Sequence, residues 1–252
     1  MLAKFRTDQG KVREHNEDNG GIFRNDYGEL CVVIADGMGG HNAGDVASFM
    51  ATQCIQKYWN ETEAVQSPIR AEQWLKETIA KTNESLYRYS LEHDMCQGMG
   101  TTLVVAICTE DFVTMAHVGD SRLYMYHEGT LQLKTEDHSF VQELLKAGQI
   151  SKQEAENHPK KNILLRAIGT EPTVSIDIQT ITWDIGHILL LCSDGLSNKL
   201  TKEEMERLLR NSESLEETID LFIQQANDYG GEDNITLALV QNVIAQTEEE
   251  RR

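Results

Sequence analysis

The sequence predicts an α+β fold in which antiparallel β-sheet is covered by helices, and two observations carry that expectation. Short apolar runs rich in β-branched residues alternate with stretches of helical periodicity, and some of the runs are joined by connections too short for a crossover helix. The runs lie at residues 30–35, 101–107, 112–118, 122–126, 187–192 and 235–240. The middle three are separated only by Thr109-Glu110-Asp111 and Gly119-Asp120-Ser121, so these strands are expected to run antiparallel through tight turns, against a doubly wound parallel sheet. Helical spacing places Val46, Met50 and Cys54 on one helix and Leu75, Ile79 and Leu86 on a second. Two more helices are expected at 205–209 and 215–226. Residues 137–169 form an expected insert on the surface, with a short helix at 140–147, Gly148 to end it, and Ser151 with Glu154 as a capping box. No repeat, linker or break in composition divides the chain, so one domain is expected over 1–244, with an acidic tail at 245–252 that frays.

Composition narrows the function. Hydrophobic residues make up 40 % and charged residues 25 % of the 252, a globular balance. The charge sum of 23 basic against 41 acidic residues is −18, which repels a nucleic-acid backbone and leaves no polybasic cluster for a membrane surface. The five cysteines, Cys31, Cys54, Cys96, Cys108 and Cys192, include no C-x-x-C pair, and buried free thiols of a reducing compartment are expected. No leader-like or membrane-spanning apolar stretch is present, so a soluble, cytoplasmic protein is expected, with no membrane insertion and no nucleic-acid partner. A monomer is the default expectation, since no heptad pattern is visible.

Most hydrolytic machinery is missing. There is no C-x₅-R thiolate loop, no D-x-D, no G-x-x-x-x-G-K-[ST], no G-x-S-x-G and no H-E-x-x-H. Instead four aspartates stand where an apolar strand meets a glycine-rich or polar turn: Asp36 in IADGMGG, Asp120 in HVGDSR, Asp194 in LLLCSDG and Asp233 in GGEDNITLALV. Each alone is an ordinary turn former. Four carboxylates at strand ends that converge must be neutralised by protons or cations. Oxygen-only donors select Mg²⁺ or Mn²⁺ over zinc, since only His117 lies near any of these aspartates. With two cations about 3.5–4 Å apart, one carboxylate bridges them, and Asp36 is the natural bridge because Gly37 lets its own carbonyl approach too. The run Arg13-Glu14-His15-Asn16-Glu17-Asp18 adds a guanidinium fork suited to two phosphate oxygens, beside Glu17 and Asp18, which suit metal-bound waters; a solvated turn is the plain alternative.

In order, RxxNED (13–18), DGMGG (36–40), GT-T (100–102), GDSR (119–122), SDG (193–195) and DN (233–234) resemble the metal-dependent serine/threonine phosphatases of the PP2C or PPM family. The likeness is greatest to the stand-alone bacterial type that accompanies receptor-like Ser/Thr kinases in Gram-positive bacteria. The resemblance implies a four-layer α-β-β-α sandwich with two central antiparallel sheets. It implies a protein phosphatase acting on phosphoserine and phosphothreonine by in-line attack of a metal-bridging hydroxide, opposing a cognate Ser/Thr kinase. Asp36 would bridge two core Mn²⁺ or Mg²⁺ ions, with Gly37, Asp194 and Asp233 completing a site. Glu17 and Asp18 would act through water, Arg13 would grip the phosphate, and Asp120 would hold a third ion with Asp194 shared. The insert would be a flap beside the site, positioned by Arg166, while Asn234 would position Asp233. Animal members have a histidine where this chain has Met38, so His41 or water is left as the proton donor. A two-metal nucleotide or nucleic-acid phosphohydrolase and a non-catalytic binding module of the same fold are the alternatives.

Overall fold

The computed structural model describes residues 1–40 and 43–243. Its strands are β1 (Leu2–Asp8), β2 (Asp18–Arg24), β3 (Leu30–Met38), β4 (Gly100–Thr101), β5 (Leu103–Cys108), β6 (Phe112–Val118), β7 (Arg122–His127), β8 (Thr130–Leu133), β9 (Asp177–Thr182), β10 (Ile188–Cys192) and β11 (Ile235–Gln241). Its helices are α1 (Ala43–Asn60), α2 (Pro68–Glu92), α3 (Phe140–Lys146), α4 (Lys152–Glu156), α5 (Asp194–Ser197), α6 (Lys202–Asn211) and α7 (Leu215–Asp228). One sheet has the order β1-β11-β10-β7-β8 and the other β2-β3-β5-β6-β9, with β4 paired to β3. Every pairing is antiparallel.

The period of two along a strand explains the layers. In β3, Cys31, Val33 and Ala35 pack under α1 and α2, while Leu30, Val32 and Ile34 face the other sheet. In β10 and β11, Leu190, Leu237 and Leu239 meet α6 and α7, while Leu189, Leu191, Ala238 and Val240 point inward. Both faces of each central strand are covered, so the sequence shows a continuous apolar run where a half-exposed strand would alternate. Helix, sheet, sheet and helix stack in four layers, as the motifs imply.

Several local expectations are corrected. The strand expected at 101–107 is broken at Thr102, whose backbone and hydroxyl turn to Asp36 instead of the ladder. Strands β5 and β6 form the expected hairpin, but β6 and β7 do not pair: Gly119-Asp120-Ser121 carries the chain from one sheet to the other. Gly119 makes this crossing at φ +106°, where a methyl group would also meet the Thr102 side chain at 2.7 Å. The buried face of α1 is Ala47, Ala51, Ile55 and Trp59, with Val46 and Met50 only partly buried beside it. Small residues are needed because the start of α1 lies on β3: a methyl on Gly37 would strike the Gly44 carbonyl. By contrast Leu75, Ile79 and Leu86 of α2 are fully buried as expected. In the insert, α3 is followed by Gly148 at φ +66°, and the Ser151–Glu154 capping box is formed at α4. Strands β1, β2, β8 and β9, all at sheet edges, lack a long apolar run. His41 and the tail 245–252 lie outside the described residues.

Candidate metal centre

The acidic side chains named from the sequence gather where the ends of the two sheets meet. Asp36 stands near the end of β3, and Asp18 opens β2 directly across from it. From the other sheet, Asp194 follows β10 and starts α5, and Asp233 precedes β11, the neighbour of β10. Asp120 arrives on the turn that crosses between the sheets. Their proximity is visible in their ionisation. Burial, then the charges of Asp18, Asp194, Asp120 and Asp233, raises Asp36 well above the carboxylate range. Burial pushes Asp18 up to about 7, aided by Asp194 and Asp233 and opposed by the Ser193 hydroxyl. Burial, with Asp194 and Asp137 adding to it, pushes Asp120 up to about 7, and burial with Asp233 lifts Asp194 to about 6. Glu17 is raised too, chiefly by burial, with Asp45 beside it and Arg13 opposing.

A polar frame fixes these groups. The Asp36 carbonyl accepts from Thr101 Oγ1 at 2.9 Å and from the Thr102 amide at 2.8 Å, and the Asp36 amide donates to Thr102 Oγ1 at 3.0 Å. Thr102 Oγ1 in turn lies 2.7 Å from Ser121 Oγ. Asn234 Oδ1 accepts from the Glu17 amide at 2.8 Å, while its Nδ2 donates to the carbonyls of Gln9 and His15. This amide thereby pins both ends of the loop that bears Arg13 and Glu17. Arg13 Nη2 donates to Asp233 Oδ2 at 2.8 Å. The fit to hard cations rests on one atom in particular: Asp18 Oδ1 is buried without any hydrogen-bond partner, in a cluster whose other members are carboxylates. An oxygen-only donor set with an orphaned carboxylate oxygen suits Mg²⁺ or Mn²⁺.

Arg13, Glu17, Asp18, Asp36, Gly37, Asp120, Asp194, Asp233 and Asn234 are thus brought to one region, whereas Arg166 is bonded elsewhere, to Asp177 Oδ1 at 3.0 Å. Sequence reading passed over Thr101, Thr102, Ser121 and Ser193 as individuals, although each lies inside a motif. Arg122, inside GDSR, clasps Asp137 at 2.9 and 2.7 Å and ties down the start of the insert. A second cluster, His117, His138 and Asp177, has ligand-type atoms within 4.8 Å of one another. It makes a poor cation site: the Gly119 amide donates to His138 Nδ1 at 3.1 Å, and the Arg166 guanidinium lies 3.2 Å from His138 Nε2 and 3.0 Å from Asp177 Oδ1, so a fixed positive charge already stands in the cluster.

Two stacked antiparallel sheets that converge on oxygen-only carboxylates fit the class of metal-dependent hydrolases, phosphatases and nucleases among them. A sequence model of the protein phosphatase 2C family matches residues 9–239. The chain is 50 % identical over 246 residues to the serine/threonine phosphatase stp of Listeria monocytogenes serotype 4b, covering 98 % of each. Among solved structures, the serine/threonine phosphatase Stp1 from Staphylococcus aureus superposes with a TM-score of 0.90 at 40 % identity, over 95 % of this chain and 94 % of that one. The catalytic domain of the serine/threonine phosphatase PstP, in complex with two manganese ions, gives a TM-score of 0.85 at 30 % identity, over 96 % and 98 %. The chain belongs to the protein phosphatase 2C family and is a metal-dependent serine/threonine protein phosphatase of the bacterial type.

Proposed function

We propose that Asp36, Asp194 and Asp233, with the Gly37 carbonyl, hold two core Mn²⁺ or Mg²⁺ ions bridged by Asp36, that Glu17 and Asp18 support them through water, and that Asp120 with Asp194 holds a third. The observation that carries this reading is the convergence of five carboxylates from separate chain positions on a site containing the orphaned Asp18 Oδ1. When bound, such ions supply Lewis acidity: they neutralise phosphate charge and make water a stronger nucleophile. The chain's own residues do the rest. Arg13 uses one donor on Asp233 and keeps its other N–H groups for phosphate oxygens, a cationic fork beside a cluster that would otherwise repel a dianion, whereas the Arg122 guanidinium is clasped by Asp137. Asn234 sets the loop that carries it, and the Thr101–Thr102–Ser121 hydroxyls fix the Asp36 backbone. Met38 has no proton to give the leaving oxygen, so His41 or water fills that role. The insert at 137–169, anchored by Arg122–Asp137 at one end and Arg166–Asp177 at the other, is the flap that borders the substrate.

Phosphoprotein substrates, among them a cognate Ser/Thr kinase, follow from the family context. The cysteines are unpaired and four of the five are buried, which suits the cytoplasm, and no helix among the described residues is long and apolar enough to cross a membrane.

Calorimetric Mn²⁺ titration tests the division of labour. Asp120→Ala is expected to keep two strong Mn²⁺ equivalents while phosphothreonine-peptide hydrolysis falls about tenfold or more; loss of the strong sites would assign Asp120 to the core instead. Arg13→Ala is expected to raise KM for the peptide by about 10- to 100-fold, the worth of a charged hydrogen bond, with Mn²⁺ binding unchanged. Arg13→Lys should restore little of it, since a point charge cannot hold two phosphate oxygens at once. An unchanged KM in Arg13→Ala would remove Arg13 from the phosphate site.

A further inference from the structure

We propose that Ser193 is a positioning residue of the metal centre, which orients Asp18 so that its second oxygen is presented to the water through which it supports the cations. Ser193 occupies the N-cap position of α5, where a serine side chain ordinarily accepts from an amide of the first helical turn. Here its hydroxyl makes no cap hydrogen bond. It donates instead to Asp18 Oδ2 at 2.7 Å, across 175 residues of sequence. The Thr236 amide donates to Ser193 Oγ at 3.0 Å, and the Ser193 amide donates to the Thr236 carbonyl at 2.9 Å. A hydroxyl has one proton, and with a backbone amide occupying one lone pair its proton is directed at Asp18. Ser193 and Thr236 are fully buried, so no solvent competes for these bonds.

The consequence falls on the other carboxylate oxygen. With Oδ2 held, Asp18 Oδ1 is fixed in place without a partner. A second hydrogen-bond chain holds the backbone of the same residue. Asn16 Nδ2 donates to Thr7 Oγ1 at 2.8 Å, Thr7 Oγ1 lies 2.7 Å from Thr236 Oγ1, and Asn16 Oδ1 accepts from the Asp18 amide at 3.1 Å. Asn16 thereby has a task within the N-terminal motif, where its two neighbours Glu17 and Asp18 are the acidic members. Groups in the shell around the metal ligands, where Asp18 stands, commonly govern metal affinity by about 10- to 100-fold.

The inference rests on the placement of Asp18 at the metal centre, and the experiment separates the two. Mn²⁺ affinity is measured by calorimetry, and the melting temperature of the metal-free protein by calorimetric scanning, for Ser193→Ala, Ser193→Cys, Asp18→Asn and Thr114→Val. Ser193→Cys keeps the side-chain volume with a weak donor. Thr114→Val removes another fully buried hydroxyl, bonded to Thr180 Oγ1 at 2.9 Å away from the acidic cluster. The expected result is Mn²⁺ binding weakened about 10-fold or more in both Ser193 variants and in Asp18→Asn, and unchanged in Thr114→Val. Wild-type affinity in either Ser193 variant, with Asp18→Asn weakened, overturns the role of Ser193 and leaves it a structural hydroxyl that moves only the melting temperature. Wild-type affinity in Asp18→Asn overturns the placement of Asp18 itself.

Discussion

Asp36→Asn is expected to lower Mn²⁺-dependent hydrolysis of a phosphothreonine peptide by about a thousandfold or more, roughly 4 kcal/mol of transition-state stabilisation. The same variant should melt at a higher temperature than the wild type when metal is removed. Both effects come from replacing one ionisable group at nearly constant shape. The contacts that hold Asp36 run through its backbone, to Thr101 and Thr102, so an amide at the side chain leaves them intact. What disappears is a carboxyl that burial and the charges of Asp18, Asp194, Asp120 and Asp233 keep protonated in the metal-free fold, at a cost the unfolded chain does not bear. An amide cannot bridge two divalent ions as a carboxylate does, so activity goes while the cost of holding that proton in the metal-free fold is removed. Asp194→Asn should behave similarly, since Asn198 Nδ2 donates to Asp194 Oδ2 at 3.0 Å and an amide oxygen can take that bond. Peptide hydrolysis with Mn²⁺, an EDTA control and a melting curve of each variant check the pair of outcomes. Wild-type activity in Asp36→Asn would end its assignment as the bridging ligand.

The parts of the structure legible in the sequence are those where a residue's neighbours in the chain decide its fate. The runs that became β3, β5, β6, β10 and β11 are apolar on both faces, so their burial shows without knowing what covers them. The aspartates at strand ends show because turn chemistry and catalytic chemistry coincide there. The edge strands were hidden for definite reasons. In β1, Lys4 and Arg6 reach outward to Glu216 of α7, and in β2 the Gly20-Gly21 pair carries no side chain to signal a strand. Spacing also could not reveal that Gly119-Asp120-Ser121 joins two sheets. A three-residue turn satisfies a hairpin and a sheet crossing equally well, and only the packing of Val118 and Leu123 into different layers distinguishes them. Least legible was the frame behind the metal centre. Ser193 to Asp18, and Asn234 to Glu17, are bonds between residues 175 and 217 positions apart. Their motifs mark them as a group without stating what each one touches.

The metal-free protein is expected to lose stability as pH rises from about 4 to about 7, and Mn²⁺ is expected to reverse the loss. In an unfolded chain these carboxyls release their protons near pH 4. In the folded chain burial keeps Asp18 and Asp120 protonated up to about 7 and Asp194 up to about 6. Between those limits the native state binds more protons than the unfolded state, so unfolding becomes easier with each step up in pH. Below about 4 the dependence fades; above about 7 Asp18, Asp120 and Asp194 are ionised in both states, while Asp36, raised well above the carboxylate range, still holds its proton in the fold. Two groups work the other way. His138 and His187 are held below their ordinary value, first by burial, so their contribution grows as pH rises toward about 6.5. They are present with and without metal, which makes the gap between the EDTA-treated and Mn²⁺-saturated melting temperatures the quantity to measure. That gap should widen steadily across the window, because the cation takes over the neutralising role the protons have given up. In Asp36→Asn, which lacks one of the carboxyls that must give up a proton when the cation binds, it should be smaller across the window above about pH 4. A gap independent of pH in the wild type would mean that the carboxylates do not repel one another in the metal-free fold.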